Sequence, residues 1–284
     1  MIPSPFDYDR ATTLDEAVAK LAAANGSAKL IAGGHSLVPL MKLRLAEPKV
    51  LIDIGRIAGL SGIREDNGRI EIGAGTVHHD VAVSALLRRE CPAVAEAAGS
   101  IGDQQVRNRG TLGGSLAHAD PAADYPAAML AVDAEMRIKG PRAWRTVKAT
   151  EFFRDLFTSD VGADEILAGV TFIPARASAY CKLFQRASHF AIVGVAAALE
   201  VSNGTVHSAR IAVTGAGPTA VRLTRVEQAL AGQRASREAF AAVTRDAGAE
   251  VRVVNADLHA SEDYRRAMIS VFARRALEAA LGRT

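Results

Sequence analysis

Two separated glycine pairs, each flanked by hydroxyl-bearing residues, restrict this chain more than any other feature. The first, Ala32-Gly33-Gly34-His35-Ser36, follows the apolar run Lys29 to Ala32 and precedes the periodic segment Leu37 to Leu45. It reads as strand, tight turn, helix. Paired glycines admit backbone conformations that a side chain blocks, so successive amide N–H groups can converge on an anion where a helix begins. Ser36 is the expected helix cap, and Pro39 is tolerated because a first-turn residue has no intrahelical N–H bond to lose. The turn has neither the Lys-Ser/Thr ending of a P-loop nor a GxGxxG fingerprint, and alone it is equally good architecture. The second, Thr111-Leu112-Gly113-Gly114-Ser115, repeats the combination of hydroxyl, small residues and bare backbone. A diphosphate presents two anionic groups, and two such turns offer one place for each.

The pattern around the turns gives an α/β unit to about residue 60. A capping box at Thr13 to Glu16 opens a helix with Leu14, Val18 and Leu21 on one face, stopped by Asn25-Gly26. A strand follows at Leu30 to Ala32, then an apolar stripe of Leu37, Leu40, Met41 and Leu45, then a strand at Val50 to Ile54. From about Ser61 the alternation changes: strands at Ile63 to Asn67 and Arg69 to Gly73, a helix from Thr76 to Glu90 closed by Cys91-Pro92, and an Ala-rich helix from Ala93 to Ile101. Asp120-Pro121 reads as the cap and first turn of a helix Ala122 to Val132. Strands at Glu135 to Lys139 and Ala143 to Lys148, a short amphipathic helix bearing Phe152, Phe153, Leu156 and Phe157, and a strand Ile166 to Ile173 complete the region. Beyond Ala175 a smaller α+β domain is expected: strands Ala179 to Arg186 and Phe190 to Val201, an Asn203-Gly204 hairpin into Val206 to Val213, and helices Arg222 to Ala231, Ser236 to Glu250 and Ser261 to Leu281.

Bulk properties exclude several classes. A formal charge of +3 on 284 residues offers no basic footprint for nucleic acid. Two cysteines, Cys91 and Cys181, stand far apart, which excludes a four-thiolate iron-sulfur site within the chain and suits a reducing compartment, so a cytoplasmic location is expected. Met1 to Arg10 has no basic start followed by an apolar core. No stretch reaches the roughly 18 apolar residues of a spanning helix, the longest candidate, Phe190 to Leu199, stopping at Glu200.

Taken together, "AGGHSLVPLMKLRL" and "QVRNRGTLGGSLAHADPAADYP", in that order and separation, make the chain resemble the medium, FAD-binding subunit of molybdenum hydroxylases, a group that includes bacterial carbon monoxide dehydrogenases and the xanthine dehydrogenase family. The resemblance spans essentially the whole length. It implies an α+β protein: a vanillyl-alcohol-oxidase (PCMH)-type FAD-binding domain over 1–176, with subdomains about 1–60 and 61–176, and a C-terminal flavoprotein domain over 177–284. It also implies that the turns Ala32, Gly33, Gly34, His35, Ser36 and Thr111, Leu112, Gly113, Gly114, Ser115 enclose the FAD pyrophosphate, with Leu30, Ile31 and Leu37 flanking the first. Asp124 matches a cofactor-contacting aspartate, Ile101 an apolar neighbour of the flavin, Thr76 and His79 a motif near the site, and Lys182 a cofactor-contacting lysine. The chain departs from the family where Ser115 replaces the usual Asn and where His189 precedes Phe190 in place of an acid. FAD is expected to be non-covalent, although some oxidases of the wider fold attach flavin through the histidine of such a turn, here His35. A molybdenum cofactor is expected on a large partner and two [2Fe-2S] clusters on a small iron-sulfur partner, as a dimer of heterotrimers.

No residue of this chain is expected to act as a catalytic acid or base, or to bind metal. His78 and His79 are adjacent and diverge, so joint ligation is not expected and a turn or surface role is expected instead. Arg107 and Arg109 either neutralise phosphate or are solvated; Arg265, Arg266, Arg274 and Arg275 are expected to be one solvated face or a subunit contact. Two rival functions stay open from sequence: a stand-alone flavin oxidase or dehydrogenase, and a cofactor-free assembly subunit.

Overall fold

A computed structural model describes residues 2–284. The chain begins with strand β1 (Asp7–Arg10), helix α1 (Leu14–Ala23), β2 (Ala28–Ile31), α2 (Leu37–Lys42) and β3 (Val50–Asp53). The three strands form a parallel sheet in the order β1-β3-β2, with Leu51 and Ile52 of the central strand buried. Thr13 caps α1 by accepting from Glu16 N at 3.1 Å, and the Glu16 carboxylate returns to Thr12 N at 2.7 Å. β1 is absent from the sequence-based expectation because it carries no apolar alternation; its pairing with β3 alone makes it a strand.

A second layer follows: β4 (Ile63–Asp66), β5 (Arg69–Gly73), α3 (His78–Val83), α4 (Ala85–Glu90), α5 (Pro92–Gly99), α6 (Gln104–Arg107), α7 (Leu112–His118), α8 (Tyr125–Ala131), β6 (Glu135–Lys139), β7 (Trp144–Lys148), α9 (Ala149–Phe152), β8 (Phe153–Asp155), β9 (Thr158–Ser159) and β10 (Ile166–Phe172). Antiparallel pairing builds a five-stranded sheet in the order β4-β5-β10-β6-β7. Ile70, Ile72, Met136, Ile138 and Val170 from this sheet share one core with Leu112, Leu116, Tyr125 and Met129.

Several expected elements are corrected. The helix foreseen over Thr76 to Glu90 breaks at Ser84, whose ψ of 116 leaves the helical region and whose side chain caps α4 at Leu87 N. The foreseen amphipathic helix ends at Phe152; Phe153 onward forms the β8-β9 hairpin, with Phe157 at φ 51. Asp120 is not a helix cap: it makes an Asx turn, its Oδ1 accepting from Ala122 N at 2.8 Å, and α8 starts only at Tyr125.

The third unit comprises β11 (Ser178–Phe184), β12 (Ala191–Ser202), β13 (Thr205–Thr214), β14 (Val221–Arg222), α10 (Thr224–Leu230), α11 (Arg237–Thr244) and α12 (Glu262–Leu281). Its antiparallel sheet runs β11-β12-β13-β14, and the expected Asn203-Gly204 hairpin is formed with both residues at positive φ. α11 stops at Thr244, short of the expected Glu250, and a separate 3₁₀ turn spans Ala247–Glu250. α12 lays Ile269, Phe272, Ala273, Ala276 and Leu277 against Val193, Val195, Ile211 and Val213 in a second core. Arg265 corrects the expectation of a solvated arginine face: it is buried, donating to Ile192 O, Gly215 O and Asp257. No helix among the described residues is long and apolar enough to cross a membrane.

Candidate functional site

The first glycine turn joins β2 to α2. Gly34 sits at φ 74, a region that favours glycine, and Gly33 lies so close to the Arg109–Gly110 main chain that a Cβ there would meet the Arg109 carbonyl and come within 2.7 Å of Gly110 Cα. The amide N–H groups of Gly33, Gly34, His35, Ser36 and Leu37 donate to no acceptor among the described residues. Five consecutive donors without partners at a helix start form a concavity of the kind that suits an anion. Ser36 is not the cap that its position suggests; its side chain makes no capping bond. Ile31 lies beneath Gly34, Leu30 and Ala32 pack on the N-terminal core, and Leu37 is half-buried.

The segment leading into the second turn meets the first in space: Gly33 packs on Gly110, 77 residues later in the chain, and His35 Nε2 comes within 3.4 Å of Gln105 O. Four of the second turn's five amides are already engaged. Leu112 N reaches Thr76 O at 2.9 Å, Gly113 N reaches Ala74 O at 2.8 Å, Ser115 N reaches Thr111 O at 3.0 Å, and Gly114 N is capped by Thr111 Oγ1 at 3.1 Å. The expectation that both turns present backbone amides is therefore corrected: the second contributes a wall and the Thr111 and Ser115 side chains. Gly113 is needed for packing, since a Cβ there would run into Ala74. Thr76 acts on this wall through its carbonyl only, its hydroxyl being taken by Gly62, and His79 lies at the rim, 3.2 Å from Gln104 Nε2.

Behind the wall stands His78, buried rather than on the surface as expected. Its Nδ1 meets Tyr125 Oη at 3.1 Å, and a Cβ on Gly110 would come within 2.6 Å of its Nε2. Burial, reinforced by the nearby charges of His35 and Arg107, lowers its pKa to about 4, so the ring is neutral near pH 7. Gly110 is thus held between the first turn on one side and the imidazole on the other. Arg107 does not face the concavity; it donates to Ile101 O and Gly102 O, at 2.9 and 2.8 Å, and so fixes the segment leading into the second turn.

At the other end, Asp124 and Lys182 form an ion pair of 2.8 Å with both side chains 5% exposed. The remaining Lys182 protons reach Ser100 O and His189 O, each at 2.7 Å, so this lysine ties the Ile101 region to the β11–β12 loop. Burial pushes the Asp124 pKa up, opposed by Lys182 and by the Tyr180 hydroxyl, which donates at 2.5 Å. His189 holds Gly102 O at 2.9 Å from a left-handed backbone, φ 61. The sequence reading missed Gly110, His78, Tyr125 and Tyr180. Tyr180 carried a signal, since it stands two residues before Lys182 on a strand and hence on the same face.

Comparison with known proteins gives one answer over the whole chain. The model of the FAD binding domain in molybdopterin dehydrogenase matches residues 4–176, and that of the CO dehydrogenase flavoprotein C-terminal domain matches residues 178–280. The carbon monoxide dehydrogenase medium chain of Hydrogenophaga pseudoflava is 41% identical, covering 100% of this chain and 99% of that one. Subunit alpha of the 6-hydroxypseudooxynicotine dehydrogenase complex of Paenarthrobacter nicotinovorans is 36% identical, over 100% and 97%. A solved carbon monoxide dehydrogenase from Hydrogenophaga pseudoflava, lacking the Mo-pyranopterin moiety of its molybdenum cofactor, superposes with a TM-score of 0.95 at 42% identity, covering 100% of this chain and 99% of that one.

Proposed function

The chain belongs to the family of FAD-binding medium subunits of molybdenum hydroxylases, and from that premise we propose that it is the electron outlet of a heterotrimeric oxidoreductase. In this reading a large partner carries the molybdenum cofactor and transforms the substrate, a small partner carries two [2Fe-2S] clusters, and the present chain passes electrons to an external acceptor, in a cytoplasmic dimer of heterotrimers. FAD, when bound, supplies the conversion between single-electron delivery and two-electron discharge.

The five unpartnered amides of Gly33 to Leu37 carry the proposal. They fit a diphosphate, and the adjoining surface fits the rest of a flavin dinucleotide: apolar groups at Leu30, Ile31, Leu37 and Ile101, hydroxyls at Thr111 and Ser115, and a charged pair at Asp124 and Lys182. In this assignment Gly33, Gly34, His35 and Ser36 would hold the diphosphate through their amides, with Ala32 bringing the chain in from β2. Leu112, Gly113 and Gly114 would shape the opposite wall, and Thr76 and His79 would support and rim it. Residues 1–176, with subdomains 1–60 and 61–176, are assigned to the cofactor and 177–284 to the flavoprotein C-terminal domain. No side chain here is asked to move a proton; the chain's work is binding, orientation and exclusion of water.

Recovery of the tagged chain with its partners tests the assignment. Two co-purifying subunits, one FAD per chain released into the supernatant by acid, and bleaching of the flavin absorbance by a substrate of the large subunit are expected. A colourless chain with partners in place makes it a cofactor-free assembly subunit, turnover by the isolated chain makes it a stand-alone oxidase, and yellow colour in the acid pellet means covalent attachment at His35.

A further inference from the structure

Tyr180 is buried behind the site, and the function above makes no use of it. Its phenol donates to Asp124 Oδ1 at 2.5 Å, while Lys182 Nζ lies 2.8 Å from the same oxygen and 3.0 Å from Oδ2. Space for that hydroxyl is provided by the neighbouring strand: a Cβ on Gly194 would collide with Tyr180 Oη and come within 2.9 Å of its Cζ. The Tyr180 backbone is held as well, its N–H donating to Glu96 Oε2 at 2.8 Å. A glycine on β12 and an aspartate at the start of α8 thus converge on one phenol, while a carboxylate on α5 holds its backbone.

We propose that Tyr180 is a positioning residue, whose hydroxyl keeps the buried Asp124 carboxylate ionised and turned towards Lys182, so that Lys182 holds the Ser100 and His189 carbonyls together at the end of the cofactor site. Burial is the largest influence on Asp124 and favours its neutral form; Asp120 adds to it, and only Lys182 and Tyr180 oppose it. The other titratable groups about the cluster are Tyr125 with its His78 partner, His189 beside Lys182 and, behind Tyr180, Cys181 and Glu96 with its Arg283 partner. Loss of the hydroxyl leaves Lys182 as the single donor to the buried carboxylate, and the balance then shifts towards protonation. Lys182 then faces no counter-charge.

The consequence for the cofactor rests on the function proposed above, whereas the titration of Asp124 does not, and the experiment separates them. In the full-length chain without cofactor, the carboxyl midpoint of Asp124 is followed by NMR in wild type, in Tyr180→Phe and in Gly194→Ala, with circular dichroism reporting the fold. The midpoint should rise by about one to two pH units in both variants, because each removes or displaces one hydrogen bond to a charged group. FAD affinity should then fall about tenfold in the variants as pH drops through the new midpoint, whereas wild type shows that step only at its own, lower midpoint. An unmoved midpoint in folded Tyr180→Phe overturns the assignment, as does a Gly194→Ala midpoint that stays at the wild-type value. If the midpoints move but no chain, wild type included, binds FAD, the cofactor reading fails while the role of Tyr180 towards Asp124 is supported.

Discussion

The two glycine turns are written alike and built for opposite purposes. In the first, five amides from Gly33 to Leu37 meet no acceptor among the described residues; in the second, Leu112, Gly113, Gly114 and Ser115 all donate within the chain. A glycine pair either opens a backbone concavity or lets two segments approach, and the glycine alone does not say which. The partners decide. Ala74 and Thr76, at the end of β5, hold the second turn as part of the sheet layer, whereas the first turn projects beyond β2 with no strand to meet it. The concavity proposed to hold the diphosphate is therefore one-sided, with a donor turn against a wall.

The largest expected effect breaks the join between the two. Gly33→Ala places a methyl group on the Arg109 carbonyl and Gly110, a backbone contact that cannot yield without moving the turns apart. FAD affinity, read by flavin fluorescence, should fall at least about 100-fold, the scale of losing several charge-assisted amide bonds. Wild-type affinity in this variant would mean that the turns do not act together.

The wall should be acid-sensitive where the donor turn is not. His78 has a folded-state pKa of about 4, below its ordinary 6.5, so its neutral form stabilises the fold fully above pH 6.5 and that contribution is lost as pH falls towards 4. The window is worth up to about 3 kcal/mol. Thermal unfolding of the cofactor-free chain should lose stability between these values, and His78→Phe should flatten the profile there. Gly113→Ala comes next: a methyl group against Ala74 overpacks the wall at a cost of about 1–3 kcal/mol, a fall in Tm of about 5 °C, with a smaller loss of FAD affinity than Gly33→Ala shows. A larger affinity loss at Gly113 would reverse the assignment of donor and wall.

Much of this was legible in the residues, and the gaps have physical reasons. Gly-Gly pairs, the Thr13 capping box and Asn203-Gly204 are local signals, and each produced its element. β1 was invisible because its strand character comes from β3, not from its own side chains. The Phe152–Phe157 stretch has helical spacing, yet strand pairing within it overrides the period. At the site, residue positions were readable but hydrogen-bond allegiance was not: nothing in Thr111 to Ser115 reveals that Ala74 and Thr76 claim its amides, and nothing in Asp124 reveals Tyr180, 56 residues on, as its donor.

The smallest effect separates the turns most cleanly, since it compares two hydroxyls in matching places. Thr111 Oγ1 accepts from Gly114 N and caps α7, while Ser36 stands in a helical conformation and caps nothing. Thr111→Ala should cost about 1 kcal/mol in the cofactor-free chain, a fall in Tm of about 2–4 °C, and Ser36→Ala should leave the Tm unchanged. The same change also releases the Gly114 amide, the one donor of the wall held by a side chain and not by main chain. Thr111→Ala should therefore lose stability without a matching loss of FAD affinity, because the freed N–H offsets the hydroxyl that the cofactor surface loses. Equal destabilisation by the two substitutions would show that Ser36 does cap α2 in solution, and that the turns are alike in structure as well as in sequence.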